Sequence, residues 1–249
     1  MDAIHISLVA EPIAMIGSFA VTNSLVTSLV ASVIIIISFF IAGRAVAVLP
    51  RSRFAHAIEA GMELMYGMIE DVTHDRAKAI RLFPLLTTFF VFILVNNWLG
   101  LLPGVGSIVV HTHEGVVPLF RAASADLNTT LALALISVIV THIYAIRELG
   151  IWQHMKKYIS LNPIKLAVGM LEFVLEFAKV ISFAFRLFGN IFAGEVLLIV
   201  MSMLVPFLGP VPFYFVELFV GIIQALVFTM LTLVFIEVAS SQHSEKVVT

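Results

Sequence analysis

Cysteine is absent from the 249-residue chain, so disulfides, thiol catalysis and cysteine metal sites are excluded by count. Charge is nearly as scarce. Asp, Glu, Lys and Arg supply 12% of the residues and hydrophobic types 61%, whereas a soluble domain runs to roughly 45–50% apolar. With a mean hydropathy of +1.09, the composition excludes a soluble globule and implies an integral membrane protein. The net charge of -2 offers no basic surface for nucleic acid. Also missing are a Walker phosphate loop, a His-Glu-x-x-His pair and a Gly-x-Ser-x-Gly elbow, so the chain by itself has no signature for hydrolysing nucleotide, peptide or ester. No internal repeat or low-complexity tract breaks it up, and a single membrane domain over 1–249 with no cofactor is expected.

No Lys or Arg occurs before Arg44. The first residues thus lack the positive region of a cleaved signal peptide and read as part of the mature chain. With Asp2, Glu11, Pro12 and Gly17 they predict a surface segment over 1–24. Three apolar runs then predict spans at 25–43, 82–102 and 127–146, each long enough to cross a hydrocarbon core of about 30 Å. Between the first two, Ile58, Met62, Met65, Ile69 and Val72 recur at helical spacing opposite Glu63, Glu70 and Asp71, which predicts an amphipathic helix at the membrane interface. Residues 104–125 read as a loop, Asp126 as the N-cap of the third span, and 150–165 as a polar, basic connection broken at Asn162-Pro163.

The last two apolar segments are longer than a span needs. Residues 166–204 contain 39 residues and no proline, which as one helix measures about 58 Å. Steep tilt reconciles that length with the bilayer. Pro206, Gly209, Pro210 and Pro212 make a turn, and 213–240 returns as a second over-long helix. The expected fold is all-α: five transmembrane helices plus an interfacial one, the last two forming a tilted antiparallel hairpin. In that arrangement Arg44, Arg51, Arg53, Arg76, Lys78, Arg81, Arg147, Lys156, Lys157, Lys165 and Lys246 fall on one side and Arg121 alone on the other. The positive-inside rule then puts the N-terminus outside and the C-terminus in the cytoplasm.

Two of the remaining charges lie inside the long segment, and Arg186 is the anomaly. An arginine at bilayer depth costs about 2.5–3.5 kcal/mol on insertion scales, so it faces a partner charge or a water-filled cavity, or it ties helices together through backbone carbonyls. At about 100° per residue, Ser182, Arg186, Gly189, Asn190 and Ala193 share one face, a polar stripe edged with small side chains that admit a neighbouring helix closely. Glu195 projects to the opposite face, so Arg186 and Glu195 meet different partners. Glu172, Glu176 and Lys179 continue the stripe toward the cytoplasmic end, with Glu176 and Lys179 at pairing distance i, i+3. In the last helix Glu217 and Gln224 are nearly aligned. A hairpin sets Glu195 and Glu217 at comparable distances from its turn, where two acids can hold a proton between them.

Arg186-Leu-Phe-Gly-Asn-Ile-Phe-Ala-Gly-Glu195 closely resembles the most specific motif of subunit a of the F-type ATP synthases. The resemblance runs from Met62 to the C-terminus and includes Asp126-Leu-Asn-Thr-Thr-Leu-Ala-Leu-Ala-Leu135 and Gln224-Ala-Leu-Val-Phe-Thr-Met-Leu-Thr232. It implies a stator in a bacterial plasma or inner membrane, set against a ring of c subunits, held by peripheral-stalk b subunits and not catalytic on its own. Two aqueous half-channels would reach the ring carboxylates, with the arginine matched by Arg186 between them. Asn190 and Gln224 would be its polar neighbours, Glu195 and Glu217 would handle protons in the outer half-channel, and Ser182, with Glu172, Glu176 and Lys179 as candidates, would belong to the inner one. The coupling ion stays open, as does which of Glu195 and Glu217 is the main relay. A secondary ion transporter built on an intramembrane Arg/Glu site is the alternative from the residues alone, although it favours related halves and broken helices that are not seen. His111, His113 and Glu114 form a weak metal pattern in the outer loop, and His142 reads as a hydrogen-bonder between helices.

Overall fold

The computed structural model describes residues 10–17, 19–45, 53–102, 108–112, 115–158, 163–206 and 208–241. Its frame is a set of long helices that run alternately up and down. These are α1 (Asn23–Ala45), α3 (Arg76–Gly100), α4 (Leu127–Leu149), α6 (Pro163–Leu204) and α7 (Pro210–Ser241). Each is long and apolar enough to cross a membrane. Two shorter helices, α2 (Arg53–Thr73) and α5 (Ile151–Tyr158), join them.

The helices begin and end where side chains take up the free backbone groups. Asp126 caps α4 by accepting from the Asn128 N–H at 3.0 Å, and it also accepts from the Ser24 hydroxyl at 2.8 Å, tying the first turn of α1 to that of α4. Asp75 does the same for α3, accepting from the Ala77 N–H at 2.8 Å. His74 before it takes a positive φ of 49°. That break divides the amphipathic stretch into α2 and the start of α3, which therefore begins at Arg76, six residues before the apolar run. The apolar face of α2 is turned inward at Met65 and Ile69, both buried, and Ile69 packs with Leu82, Leu86, Leu233 and Ile236.

The all-α membrane architecture is as expected from the sequence, with short elements added in three of the segments outside the spans. The N-terminal segment contains a short antiparallel hairpin, β1 (Pro12–Ile16) with β2 (Phe19–Thr22), running straight into α1. The expected loop over 104–125 contains a second hairpin, β3 (Val109–Thr112) with β4 (Gly115–Pro118), and a 3-10 turn at Ala123–Ala125. The polar connection after α4 contains α5. The weak metal pattern falls on residues outside the described set, since His113 and Glu114 are not described, nor is the side chain of His111. The same is true of Asn162 and Lys246.

The principal core lies between α3, α4, α6 and α7. Phe89, Ile93, Leu133, Phe183, Leu187, Ile191 and Phe228 are buried there, with Phe183 and Phe228 rings 5.0 Å apart. Because hydrocarbon tails are as apolar as leucine, packing and interhelical hydrogen bonds hold such a bundle. Ser137 and Thr232 share a 2.8 Å bond between α4 and α7. Asn97 and Trp98 of α3 donate to the Gly221 and Leu218 carbonyls of α7 at 3.3 and 3.2 Å. At the other end Lys78 pairs with Glu237 at 2.9 Å. These ties fix α7 in register with α3 and so decide where Glu217 and Gln224 sit.

Candidate functional site

The face of α6 that carries Arg186 is uncovered. Ser182, Arg186, Gly189, Asn190 and Ala193 are all exposed, while Phe183, Ala184, Leu187 and Ile191 on the other side are buried. Nη2 of Arg186 donates to Oγ of Ser182 at 3.2 Å, and its guanidinium lies 5.9 Å from the Phe183 ring centroid. Among the described residues Arg186 pairs with no carboxylate. Asn190 reaches from this face to α7, donating from Nδ2 to Oε1 of Gln224 at 3.3 Å. Gln224 is buried, and its Nε2 has no acceptor among the described residues. Ser182, Arg186 and Asn190 thus line one exposed face of α6, with Gln224 of α7 buried behind Asn190.

A second cluster lies near the turn between α6 and α7. Glu195 and Glu217 line a cavity of about 290 Å³ together with Arg121, Asn97 and Tyr214. Nε of Arg121 lies 3.5 Å from Oε2 of Glu195, with the arginine side chain 7% exposed. Glu217, also 7% exposed, rests its carboxylate on the backbone of α6 at Gly194. A Cβ on Gly194 would overlap that carboxylate, so the glycine is what lets the two acids share the cavity. Arg121 is delivered by the strand-and-turn segment before α4. Ala122 sits where a Cβ on Gly100 would be, and the Arg121 N–H donates to Oγ1 of Thr27 at 3.2 Å.

A third group lies toward the opposite end of α6. Lys179 donates to Oε1 of Glu176 at 2.8 Å, the i, i+3 pair that the spacing suggests. Nζ of Lys179 is 4.8 Å from the Phe235 ring centroid. Glu172 is half-buried one turn earlier. His142 of α4 bridges helices, with Nε2 3.6 Å from Oε2 of Glu176 and Nδ1 3.2 Å from Nε2 of His154 in α5. Among the described residues no cluster of three His, Asp or Glu side chains has metal-binding geometry.

Proximity of Glu195 to Glu217, and of Asn190 to Gln224, follows the hairpin expected from the sequence. No sequence pattern singles out Arg121 or His154. Arg121 shows only as the single basic residue on its side of the charge tally, and its ion pair spans two distant segments that no local pattern connects. His154 sits in a short polar stretch whose helix is not announced by hydropathy.

The profile of the family described as ATP synthase A chain matches residues 25–237, which contains all three groups. The chain belongs to that family. Among curated relatives named ATP synthase subunit a, the protein of Gloeobacter violaceus is 37% identical over 197 residues, covering 78% of this chain and 75% of its own. That of Moorella thermoacetica is 28% identical over 89% of this chain and 92% of its own. That of Legionella pneumophila strain Corby is 29% identical over 93% and 92%. The chain is therefore a multi-pass membrane subunit of an ATP synthase and works in a complex with other subunits.

Proposed function

We propose that this subunit is the proton-conducting stator of the synthase, a single membrane domain over 1–249 that is not catalytic itself and couples proton flow to rotation of a c-subunit ring, with b subunits as its peripheral stalk. The observation that carries the reading is Arg186, an exposed cation that has no carboxylate partner among the described residues, on a small-residue face in the middle of an apolar helix. In lipid that arrangement would cost about 2.5–3.5 kcal/mol or more. Against a ring of ionised carboxylates the same charge becomes the partner those carboxylates need. A guanidinium holds its charge more firmly than an ammonium, so it attracts a passing carboxylate without relaying a proton. The acids Glu195 and Glu217 then serve the outer half-channel, and Ser182 with Glu172, Glu176 and Lys179 the inner one. Asn190 and Gln224 hold polar contacts beside the arginine. By the positive-inside rule the excess of basic residues on one side of the sequence favours a cytoplasmic location for that side, N-terminus out and C-terminus in, and steep tilt of α6 and α7 would fit their excess length to the bilayer.

The test is gradient-driven ATP synthesis and passive proton permeability in vesicles holding equal amounts of assembled complex. Arg186→Ala is expected to abolish coupled synthesis, and Arg186→Lys as well, since a compact ammonium lacks the planar fork and can shed its proton when desolvated. A leak through the unguarded path would dissipate about 2.3 kcal/mol per charge at 100 mV. Near-normal coupled synthesis in the Ala variant would sink the mechanism and return Arg186 to a structural role.

A further inference from the structure

A cleft of about 1010 Å³ lies between α4, α5 and α6, at the end of the bundle away from the 204–210 turn. His142, His154 and Glu176 are the only polar side chains among its described lining residues, the rest being apolar residues such as Leu135, Phe173 and Val180, and one glycine. Polar groups in such surroundings are costly unless they satisfy one another. Here they stand in a line: Nε2 of His154, Nδ1 of His142 at 3.2 Å, then Nε2 of His142 and Oε2 of Glu176 at 3.6 Å. Each helix contributes one member. Both nitrogens of His142 are engaged on opposite sides, so the ring joins its neighbours in series, unlike a set of ligands converging on one ion. Oε2 of Glu176 is buried and accepts no hydrogen bond within the described residues, while its Oε1 is held by Lys179.

We propose that His154, His142 and Glu176 form a proton relay that feeds the inner side of the Arg186 stripe. Imidazole suits the middle position because it accepts a proton at one nitrogen while releasing one from the other. A proton taken up at Nδ1 of His154 frees the one on Nε2, which moves to Nδ1 of His142. The proton on Nε2 of His142 then moves to Oε2 of Glu176. One proton enters, one is delivered, and each ring ends neutral as its other tautomer, reset when it turns about its Cβ–Cγ bond. From Glu176 the polar groups continue along α6 through Lys179 to Ser182 and Arg186. The inference rests on the proton-conducting reading above and adds two histidines on separate helices to it.

The experiment uses the whole synthase in inverted vesicles, whose inner face is turned to the medium, and measures the initial rate of ATP-driven proton uptake at equal amounts of assembled complex. His142→Gln keeps a polar bridging group but removes the two-nitrogen relay. It is expected to lower the rate on the order of tenfold or more, and imidazole in the medium is expected to restore a several-fold increase that it does not produce in wild-type vesicles. Glu176→Asp is expected to retain more activity than Glu176→Gln. A wild-type rate in His142→Gln would overturn the relay, and so would a loss that imidazole leaves unchanged, since a structural tie cannot be rescued by a diffusible base. Arg186→Ala vesicles run alongside: if they stay coupled, the parent reading fails, whereas uncoupled Arg186→Ala with normal His142→Gln removes the relay alone.

Discussion

Arg121 and Arg186 are two arginines in largely apolar surroundings with opposite environments. Arg121 is 7% exposed and sits 3.5 Å from Glu195, its backbone N–H held by Thr27. Arg186 is exposed, and its one hydrogen bond among the described residues goes to the hydroxyl of Ser182, a neutral group. The first cation is balanced within its own chain. Among the described residues the second is not, and its surroundings are small and open where those of Arg121 are closed. An internally paired arginine fixes a structure, because leaving its partner unpaired in a buried place costs about 1–3 kcal/mol. An unpaired one on an open face is poised for a charge that arrives from outside.

The same contrast holds for whole helices. In the 18-residue apolar window of α6, 17% of residues are buried, against 44% in that of α7. Helix α7 is a central element packed on α3, α4 and α6, so its polar residues Glu217, Gln224, Thr229 and Thr232 are buried. Helix α6 keeps one side for the core and leaves the other uncovered.

The sharpest way to break the comparison is to remove the balance around Arg121. Glu195→Gln removes the 3.5 Å charge contact to that arginine and, if Glu195 is the principal outer relay, slows proton uptake from the outer side on the order of 10²-fold. Glu217→Gln is expected to slow it less in that case and comparably if the two share a proton; initial proton fluxes in vesicles measure both. Wild-type rates in both single variants and in the double variant would take the acids out of the path. A smaller effect, about 1–3 kcal/mol of overpacking, is expected from Gly194→Val, whose side chain occupies the place of the Glu217 carboxylate. It would appear as less assembled complex and a lower melting temperature, and an unchanged melting temperature would mean that the acids are not confined by α6. The smallest effect belongs to Lys78→Ala, which removes the 2.9 Å pair with Glu237 far from both arginines. About 0.5–1 kcal/mol of stability is at stake there, with coupled synthesis per assembled complex unchanged.

Much of this was legible in the sequence because the signals are local. Hydropathy marks the five spans, Asp126 marks a helix start, and 3.6-residue periodicity puts Ser182, Arg186 and Asn190 on one face and Glu176 beside Lys179. The turn read at Pro206, Gly209, Pro210 and Pro212 makes the last two helices a hairpin, and the approach of Glu195 to Glu217 follows. What stayed hidden is non-local or weakly patterned. The hairpins at 12–22 and 109–118 are short, and aliphatic residues in them are not distinguishable from a loop by alternation. The Arg121 pair joins segments whose meeting depends on how closely Gly100 admits Ala122. The His142–His154 contact depends on a helix of eight residues, Ile151–Tyr158, too short for its periodicity to stand out.

The central claim is that a protein partner, not lipid, covers the Arg186 face. The chain has no cysteine, so a single one can be introduced without altering any other residue. Ala193→Cys places a spin label on that face, and Ile139→Cys, exposed on α4, provides a reference. In the intact synthase in liposomes, accessibility to oxygen, which concentrates in lipid, is expected to be low at position 193 and high at 139, and to rise at 193 when the c-ring is stripped away. Equally high accessibility at both positions in the intact complex would contradict the claim and leave Arg186 facing lipid.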